Sequence, residues 1–239
     1  MKKSIALLST VILISAVTAT KSASAEENPK EYTTEGTITF EAGDAEVTPP
    51  VDPENPEEPK EPVDPPGPGT GGALSIDYGS KFKFGTNKIS ATDKTYYAAP
   101  DEFKDGSKAP TFVQVTDKRG TLAGWKLSIS QSEQFKTADG EELAGAQLAF
   151  TKGQVASVVD EKYAPTTVSS EIALTPGESN TIAVNAKAGT GVGTWIYRFG
   201  KNEADNKDAV QLSVPGKSVK LAKQYSTTLI WSLDNTPEN

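Results

Sequence analysis

The amino-acid sequence predicts an all-β protein on two observations. Short runs of alternating or β-branched residues recur between Ala73 and Asn239, separated by Gly, Pro, Asp or Asn, and few segments have the helical period. We therefore expect a two-sheet antiparallel β-sandwich, or a flattened barrel, at 73–239, preceded by a disordered, acidic, Pro-rich linker. The predicted strands are Leu74–Tyr78, Lys81–Phe84, Thr111–Thr116, Trp125–Ser130, Ala146–Thr151, Gln154–Val158, Ser170–Leu174, Asn180–Ala186, Gly193–Phe199, Val210–Val214 and Tyr225–Leu233.

Residues 1–25 have the features of a secretory signal peptide. Lys2 and Lys3 precede an apolar run at 5–17, and an A-x-A sequence ends at Ala25. The apolar run is shorter than the roughly 20 residues that a membrane-spanning helix needs. We predict cleavage between Ala25 and Glu26 and export from the cell.

Residues 26–47 form a short acidic segment with one predicted strand. Apolar and Thr residues alternate from Gly36 to Phe40. A lone strand is unstable in water, so this strand either docks on the C-terminal domain as an edge strand or is disordered. Docking is favoured because only added contacts offset the entropy that ordering the strand costs.

Residues 48–72 are predicted to be a linker. Between Pro49 and Pro68, nine residues are Pro and six are Asp or Glu. Because Pro fixes φ and donates no hydrogen bond, such a segment favours the extended polyproline conformation, at about 3.1 Å per residue. The glycines between Gly69 and Gly72 then form a flexible joint. We expect a solvated spacer.

The net charge lies ahead of the predicted domain. Without Lys2, Lys3 and Lys21 of the signal peptide, 21 basic and 32 acidic residues remain, which is a net charge of −11. Residues 26–72 carry 13 acidic and two basic residues, and residues 73–239 carry 19 of each. Nucleic-acid binding is not expected, because it requires a basic patch.

Three kinds of surface anchor are not visible in the sequence. The chain has no Cys, which excludes disulfides and a lipid-modified Cys. No segment after the signal peptide has the length of a transmembrane helix, so no membrane span is expected. The residues from Asp234 to Asn239 show neither a hydrophobic tail nor a basic stop. An exported chain without these anchors is either released or held at the cell surface by binding.

Residues for enzymatic chemistry are sparse, and we predict no catalytic, metal or cofactor site. With neither His nor Cys, the chain lacks a Ser–His or Cys–His dyad and the nitrogen and sulfur ligands of zinc. The acidic residues at 139–142 and 205–208 indicate polar loops, and the glycine-rich run 189–193 predicts a hairpin turn. A hydrolase that uses two carboxylates as its catalytic groups remains a further hypothesis, and it requires two buried acidic side chains that lie close together.

Two W-x-L tripeptides lie on predicted strands. Buried aromatic side chains stabilise a fold strongly, so core positions are favoured for these tryptophans over contact with a ligand. The residues that the two alternating runs place on one face are Trp125, Leu127, Ile129, Tyr225, Leu229, Trp231 and Leu233.

With its second tripeptide in a Y-x-x-x-L-x-W-x-L run, the chain resembles the WxL domain of Gram-positive surface proteins. The resemblance extends from Glu31 onward. Its other segments are Leu74–Tyr78 with Phe82, Phe84 and Gly85, Val113–Asp117 with Arg119 and Gly120, Thr194 and Trp195 with Arg198–Gly200, and Leu212–Gly216.

The resemblance implies a secreted, non-enzymatic surface protein that attaches to peptidoglycan non-covalently through residues 73–239. It also implies roles in surface display or adhesion, with WxL-interacting surface proteins, other WxL proteins and host matrix proteins as partners. The alternative is a protein-interaction subunit that binds a membrane-anchored WxL-interacting partner rather than the wall. The motif residues either bind the wall or pack the core.

Overall fold

The computed structural model describes residues 30–238. The predicted signal peptide and its cleavage site at Ala25 and Glu26 lie outside these residues. The chain divides into a first unit that ends at Thr39 and a second unit, Phe40–Asn239. All strands that the structure describes lie in the second unit. No helix in the described range has the length and apolar character needed to cross a membrane.

The second unit is built almost entirely from antiparallel strands, which confirms the predicted fold class. The strands are β1 (Leu74–Gly79), β2 (Lys94–Tyr97), β3 (Asp101–Glu102), β4 (Lys108–Ala109), β5 (Phe112–Asp117), β6 (Trp125–Gln131), β7 (Gln147–Phe150), β8 (Gly153–Ala156), β9 (Thr167–Val168), β10 (Ile172–Leu174), β11 (Thr181–Ala186), β12 (Gly193–Phe199), β13 (Val210–Val214) and β14 (Leu229–Asp234). One short helix, α1 (Glu203–Asn206), and a 3-10 turn (Glu161–Tyr163) complete the elements.

The strands form three four-stranded sheets and one two-stranded ladder. Sheet A has the order β1-β5-β12-β8, sheet B has β14-β6-β11-β9, and sheet C has β10-β7-β13-β2, while β3 pairs with β4. Side chains from sheets A, B and C share one core, as Trp195, Leu127 and Phe150 illustrate. The antiparallel sandwich is therefore divided among more sheets than the two that the strand pattern predicts.

The sandwich is closed on one side and open on the other. At the β8–β9 side, the Gly153 amide donates to the Ser170 carbonyl at 3.0 Å, and the Tyr197 hydroxyl donates to the Ser169 carbonyl at 2.7 Å. At the opposite side, β1 ends sheet A and β14 ends sheet B. These two edge strands border the grooves described below.

Three predicted elements differ in the structure. Lys81–Phe84 is a loop, although its alternation does direct Phe82 and Phe84 against the core. The last predicted strand is formed only from Leu229 onward. Residues 36–40 form no strand, and the side chains of Ile38 and Phe40 are 79% and 85% exposed.

The Pro-rich segment packs against the domain and is not a free spacer. Residues 48–63, which we call the strap, fold back on themselves through a bridge between Val51 and Pro59. A second bridge joins Pro62 to Phe103, and Pro53 and Pro62 are buried. Proline has no amide hydrogen, but other backbone groups of the strap are bonded: the Asp52 amide donates to the Glu58 carbonyl within the strap, and the Val63 amide donates to the Glu102 carbonyl of β3, both at 2.8 Å.

The strap covers the outer face of sheet A, which explains why β1 and β5 are buried on both faces. The Val51 amide donates to Gln114 Oε1 at 3.0 Å, and Gln114 Nε2 donates to the Pro49 carbonyl at 3.1 Å. Arg198 donates to the Pro53 carbonyl. Because a fully buried glutamine needs partners for its amide, the strap and Gln114 satisfy each other.

A β-bulge in β1 supports this arrangement. The register between β1 and β5 shifts between Ile76 and Tyr78, which leaves Asp77 as the extra residue. The buried Asp77 carboxylate accepts hydrogen bonds from Ser75 Oγ at 2.6 Å and Thr116 Oγ1 at 2.5 Å.

A second buried carboxylate, Asp101, lies beside the same sheet. It accepts hydrogen bonds from the Tyr78 hydroxyl at 2.8 Å and Ser80 Oγ at 2.5 Å. Burial outweighs these bonds and raises the pKa of Asp101 to about 6, from an ordinary value of 3.8. Below its pKa this carboxyl is neutral in the folded protein.

Deprotonation of Asp101 is expected to destabilise the fold. Between pH 3.8 and about 6 the folded state binds more protons than the unfolded state. The contribution of protonated Asp101 to the free energy of unfolding is therefore fully present below this pH range and is lost as the pH rises through it. The expected loss is about 2–3 kcal/mol. Urea unfolding across this range measures it, and Asp101→Asn should be more resistant than the unaltered chain to the rise in pH. Equal pH profiles for both proteins would contradict the assignment.

Candidate functional site

The two W-x-L motifs lie side by side on neighbouring strands. β14 pairs with β6 in antiparallel register, which places Leu233 opposite Leu127 and Trp231 opposite Ile129. Residues that face each other in an antiparallel ladder point to the same side of the sheet. Trp231 therefore lies on the same face of sheet B as Trp125 and Leu127, and the two motifs form one structural unit.

The first motif is core. The Trp125 side chain is 1% exposed, and Leu127 and Ile129 are fully buried. The indole Nε1–H of Trp125 donates to the Gly191 carbonyl at 2.8 Å. Gly191 has a φ of +81°, and a Cβ at this position would lie 2.5 Å from Trp125 Nε1, so only glycine fits.

The loop that carries Gly191 is a crossing between sheets and not the predicted hairpin turn. It joins β11 of sheet B to β12 of sheet A, and these two strands do not pair. The glycines allow the backbone to pass close to the indole ring of Trp125, which is why the run is rich in glycine at this point of the chain.

The second motif is only half-buried. Trp231 packs edge-to-face on Tyr197 with ring centroids 6.3 Å apart, and Leu229 and Leu233 contact the core with part of their surface. The hydroxyl of Tyr225 accepts a hydrogen bond from the Leu221 amide at 2.9 Å. Because β14 is an edge strand, its aromatic and aliphatic side chains stay accessible along one side.

A polar groove of about 780 Å³ lies around the strands of both motifs. The middle residue of each motif, Lys126 and Ser232, lines it together with Trp231 and Leu233. The other lining residues are Thr70, Gly71, Leu74, Ile76, Arg119, Ser128, Asn180, Ile182, Asp234, Asn235 and Glu238. The groove thus combines one exposed aromatic surface with amide, hydroxyl and charged groups.

A second and larger groove of about 1450 Å³ begins on the other side of Trp231. We call it the lysine groove. Its floor contains Phe82, Phe84, Tyr225, Leu229 and Trp231, and its walls are the loops 79–89 and 220–228. Five lysines line it and no acidic residue does; they are Lys81, Lys83, Lys88, Lys220 and Lys223.

The lysines differ in how far they are neutralised. Lys83 pairs with Asp64, and Lys223 pairs with Asp139 at 2.6 Å. Lys220 Nζ donates to backbone carbonyls, including that of Pro215 at 2.8 Å. Within residues 30–238, Lys81 and Lys88 form no ion pair. The groove therefore presents positive charge from Lys81 and Lys88, although residues 40–239, which include the strap, carry 28 acidic and 20 basic residues.

The buried carboxylates lie away from both grooves. Asp77, Asp101 and Asp117 are buried, and each is held by neighbouring side chains; Arg119 donates to both oxygens of Asp117. None of the three lines a groove. Among the described residues no group of three acidic side chains is arranged to hold a metal ion.

The fold and the paired motifs define a β-sandwich domain with an open edge. The family model for the WxL domain, described as a surface cell wall-binding domain, matches residues 27–237. The chain therefore belongs to the WxL family of surface, cell wall-binding proteins. Comparisons with curated proteins and with solved structures give no match.

The family match also includes the strap. The match begins at residue 27. Because residues 48–63 pack against sheet A, the folded domain also starts before Ala73. Both motifs are visible in the sequence, but the lysine groove is not. The alternation of Lys and Phe at 81–84 is its one local signal, and it predicts a strand where the structure has a loop.

Proposed function

We propose that the domain binds peptidoglycan directly and non-covalently, and that the polar groove holds the glycan. The observation that carries this proposal is that both W-x-L strands contribute to one groove, in which Trp231 is the accessible tryptophan. We further propose that the protein is not an enzyme and acts in surface display or adhesion, which rests on its family.

The composition of the polar groove suits a sugar. A pyranose ring has an apolar face, which packs well on an indole ring, and a rim of hydroxyl groups, which needs hydrogen-bonding partners. Trp231 offers the apolar surface, and Asn180, Ser232 and Asn235 offer donors and acceptors around it. Lys126 pairs with Glu238 of the same groove at 3.4 Å, so the charged side chains there are balanced and suit a neutral glycan.

Replacing Trp231 should remove wall binding without unfolding the domain. We expect Trp231→Ala, in the chain from Glu26 to Asn239, to lower sedimentation with protein-free sacculi by about tenfold or more, which corresponds to about 1.4 kcal/mol. Asn180→Ala, on an exposed side chain of the same groove, should weaken binding while the melting temperature stays unchanged.

The matched control is Ile230→Ala. Ile230 is the neighbouring residue on β14, is 46% exposed and lines neither groove. Its replacement should leave sedimentation unchanged. Equal binding by the unaltered chain, Trp231→Ala and Asn180→Ala would show that the polar groove is not the wall site.

A second candidate function, binding of a membrane-anchored WxL-interacting protein, is favoured by the edge of sheet C. β2 ends that sheet, and three of its four side chains are exposed, with Tyr97 47% exposed. An accessible edge of this kind accepts an added strand from a partner. Protein-free sacculi distinguish the two functions, since only direct wall binding gives sedimentation with them.

A further inference from the structure

The lysine groove has the features of a docking site for an extended polypeptide. It runs beside β14, whose only ladder among the described residues is the one with β6. The other edge of this strand therefore offers backbone groups for an incoming strand. The floor beside it is apolar, with Phe84, Leu229 and Trp231 among its side chains.

The chemistry of the groove specifies the occupant. An apolar floor favours apolar side chains, and Lys81 and Lys88, which form no ion pair among the described residues, favour negative charge. A segment in which apolar side chains are interspersed with acidic ones satisfies both requirements.

The chain itself contains such a segment at 31–41. Its apolar side chains Tyr32, Ile38 and Phe40 are 92%, 79% and 85% exposed. Its charged residues, Glu31, Glu35 and Glu41, are all acidic and exposed. Large apolar side chains at such exposure, on a segment with strand-like alternation, are typical of a binding element.

We propose that segment 31–41 of one copy of this chain docks in the lysine groove of a second copy and adds a strand to β14. Ile38 and Phe40 then contact the apolar floor, and the glutamates lie near Lys81 and Lys88. The proposal goes beyond wall binding and does not depend on it, because it concerns association between copies in solution.

The donor segment and the acceptor groove are different surfaces, so the contact is head-to-tail. Such an interface does not close on itself with two copies, and it generates open chains.

The test uses two variants that each disable one side of the contact. Ile38→Ser with Phe40→Ser removes the donor, and Lys81→Glu with Lys88→Glu removes the acceptor. In sedimentation velocity the unaltered chain, from Glu26 to Asn239, should form species larger than dimers as concentration rises. Each variant alone should stay monomeric, with association at least about tenfold weaker.

Mixing the two variants gives the sharpest result. One variant retains a groove and the other retains a segment, so an equimolar mixture should form a dimer and nothing larger. Adding Glu35→Lys and Glu41→Lys to the acceptor variant should restore its self-association. A monomeric unaltered chain at every concentration, or association that persists in either single variant, would overturn the proposal.

Two control variants test whether any change of an exposed residue weakens self-association, or only changes in the docking contact. Lys187→Glu alters an exposed lysine outside the groove, and Val219→Ser alters a side chain that is 74% exposed and does not line it. Both should associate as the unaltered chain does. Sedimentation of the donor variant with sacculi should persist, so a failure here is distinguishable from a failure of wall binding.

Discussion

Trp125→Ala is expected to unfold the domain near physiological temperature. The side chain is 1% exposed, and its removal leaves a large cavity beside Leu127 and Ile129 as well as a Gly191 carbonyl without its donor. The expected loss in the free energy of unfolding is about 3–5 kcal/mol. This is a large part of the stability of an ordinary domain, and urea unfolding followed by circular dichroism measures it.

Two further variants show that the effect comes from burial. Trp125→Phe keeps most of the packing but loses the indole donor, so its loss should be smaller, about 1–2 kcal/mol. Trp231→Ala should cost less than Trp125→Ala, since Trp231 is only half-buried. A Trp125→Ala protein that is fully folded but does not bind sacculi would instead make Trp125 a wall contact.

Removal of the strap is expected to cause the second large effect. A chain shortened to begin at Ala73 loses the hydrogen bonds that the strap makes with Gln114, Asp77 and Arg198, and the outer face of sheet A becomes exposed to water. After allowance for the entropy that the free strap regains, the expected loss is about 3 kcal/mol, or a fall in melting temperature of about 10 °C. Calorimetry of the shortened chain measures both quantities.

A milder truncation provides the control. A chain that begins at Phe40 lacks the exposed residues 30–39 but retains the strap, so its melting temperature should match that of the unaltered chain. If the chain from Ala73 melted at this same temperature, the contacts of the strap would contribute nothing to stability. The comparison also decides which fragment is suitable for wall-binding assays.

The β architecture and the identity of the motif strands were predictable from the amino-acid sequence. Alternation of side chains depends only on the two-residue repeat of a strand, so the core faces of β5, β6, β12 and β13 are readable along the chain. The same local rule identified Phe82 and Phe84 as inward-facing, although they lie in a loop. Family membership followed from ordered motifs, which are likewise local.

The contacts that these elements make could not be predicted in the same way. The prolines at 48–63 indicate an extended segment, but whether it packs depends on Gln114, Asp77 and Arg198, which are distant in sequence. Equivalent alternation at Trp125 and Trp231 gave no sign that one is central in sheet B and the other is at its edge, because strand order is a property of pairing. The lysine groove likewise arises where separate loops converge. Long-range pairing selects among many locally allowed arrangements, and a local pattern does not contain that information.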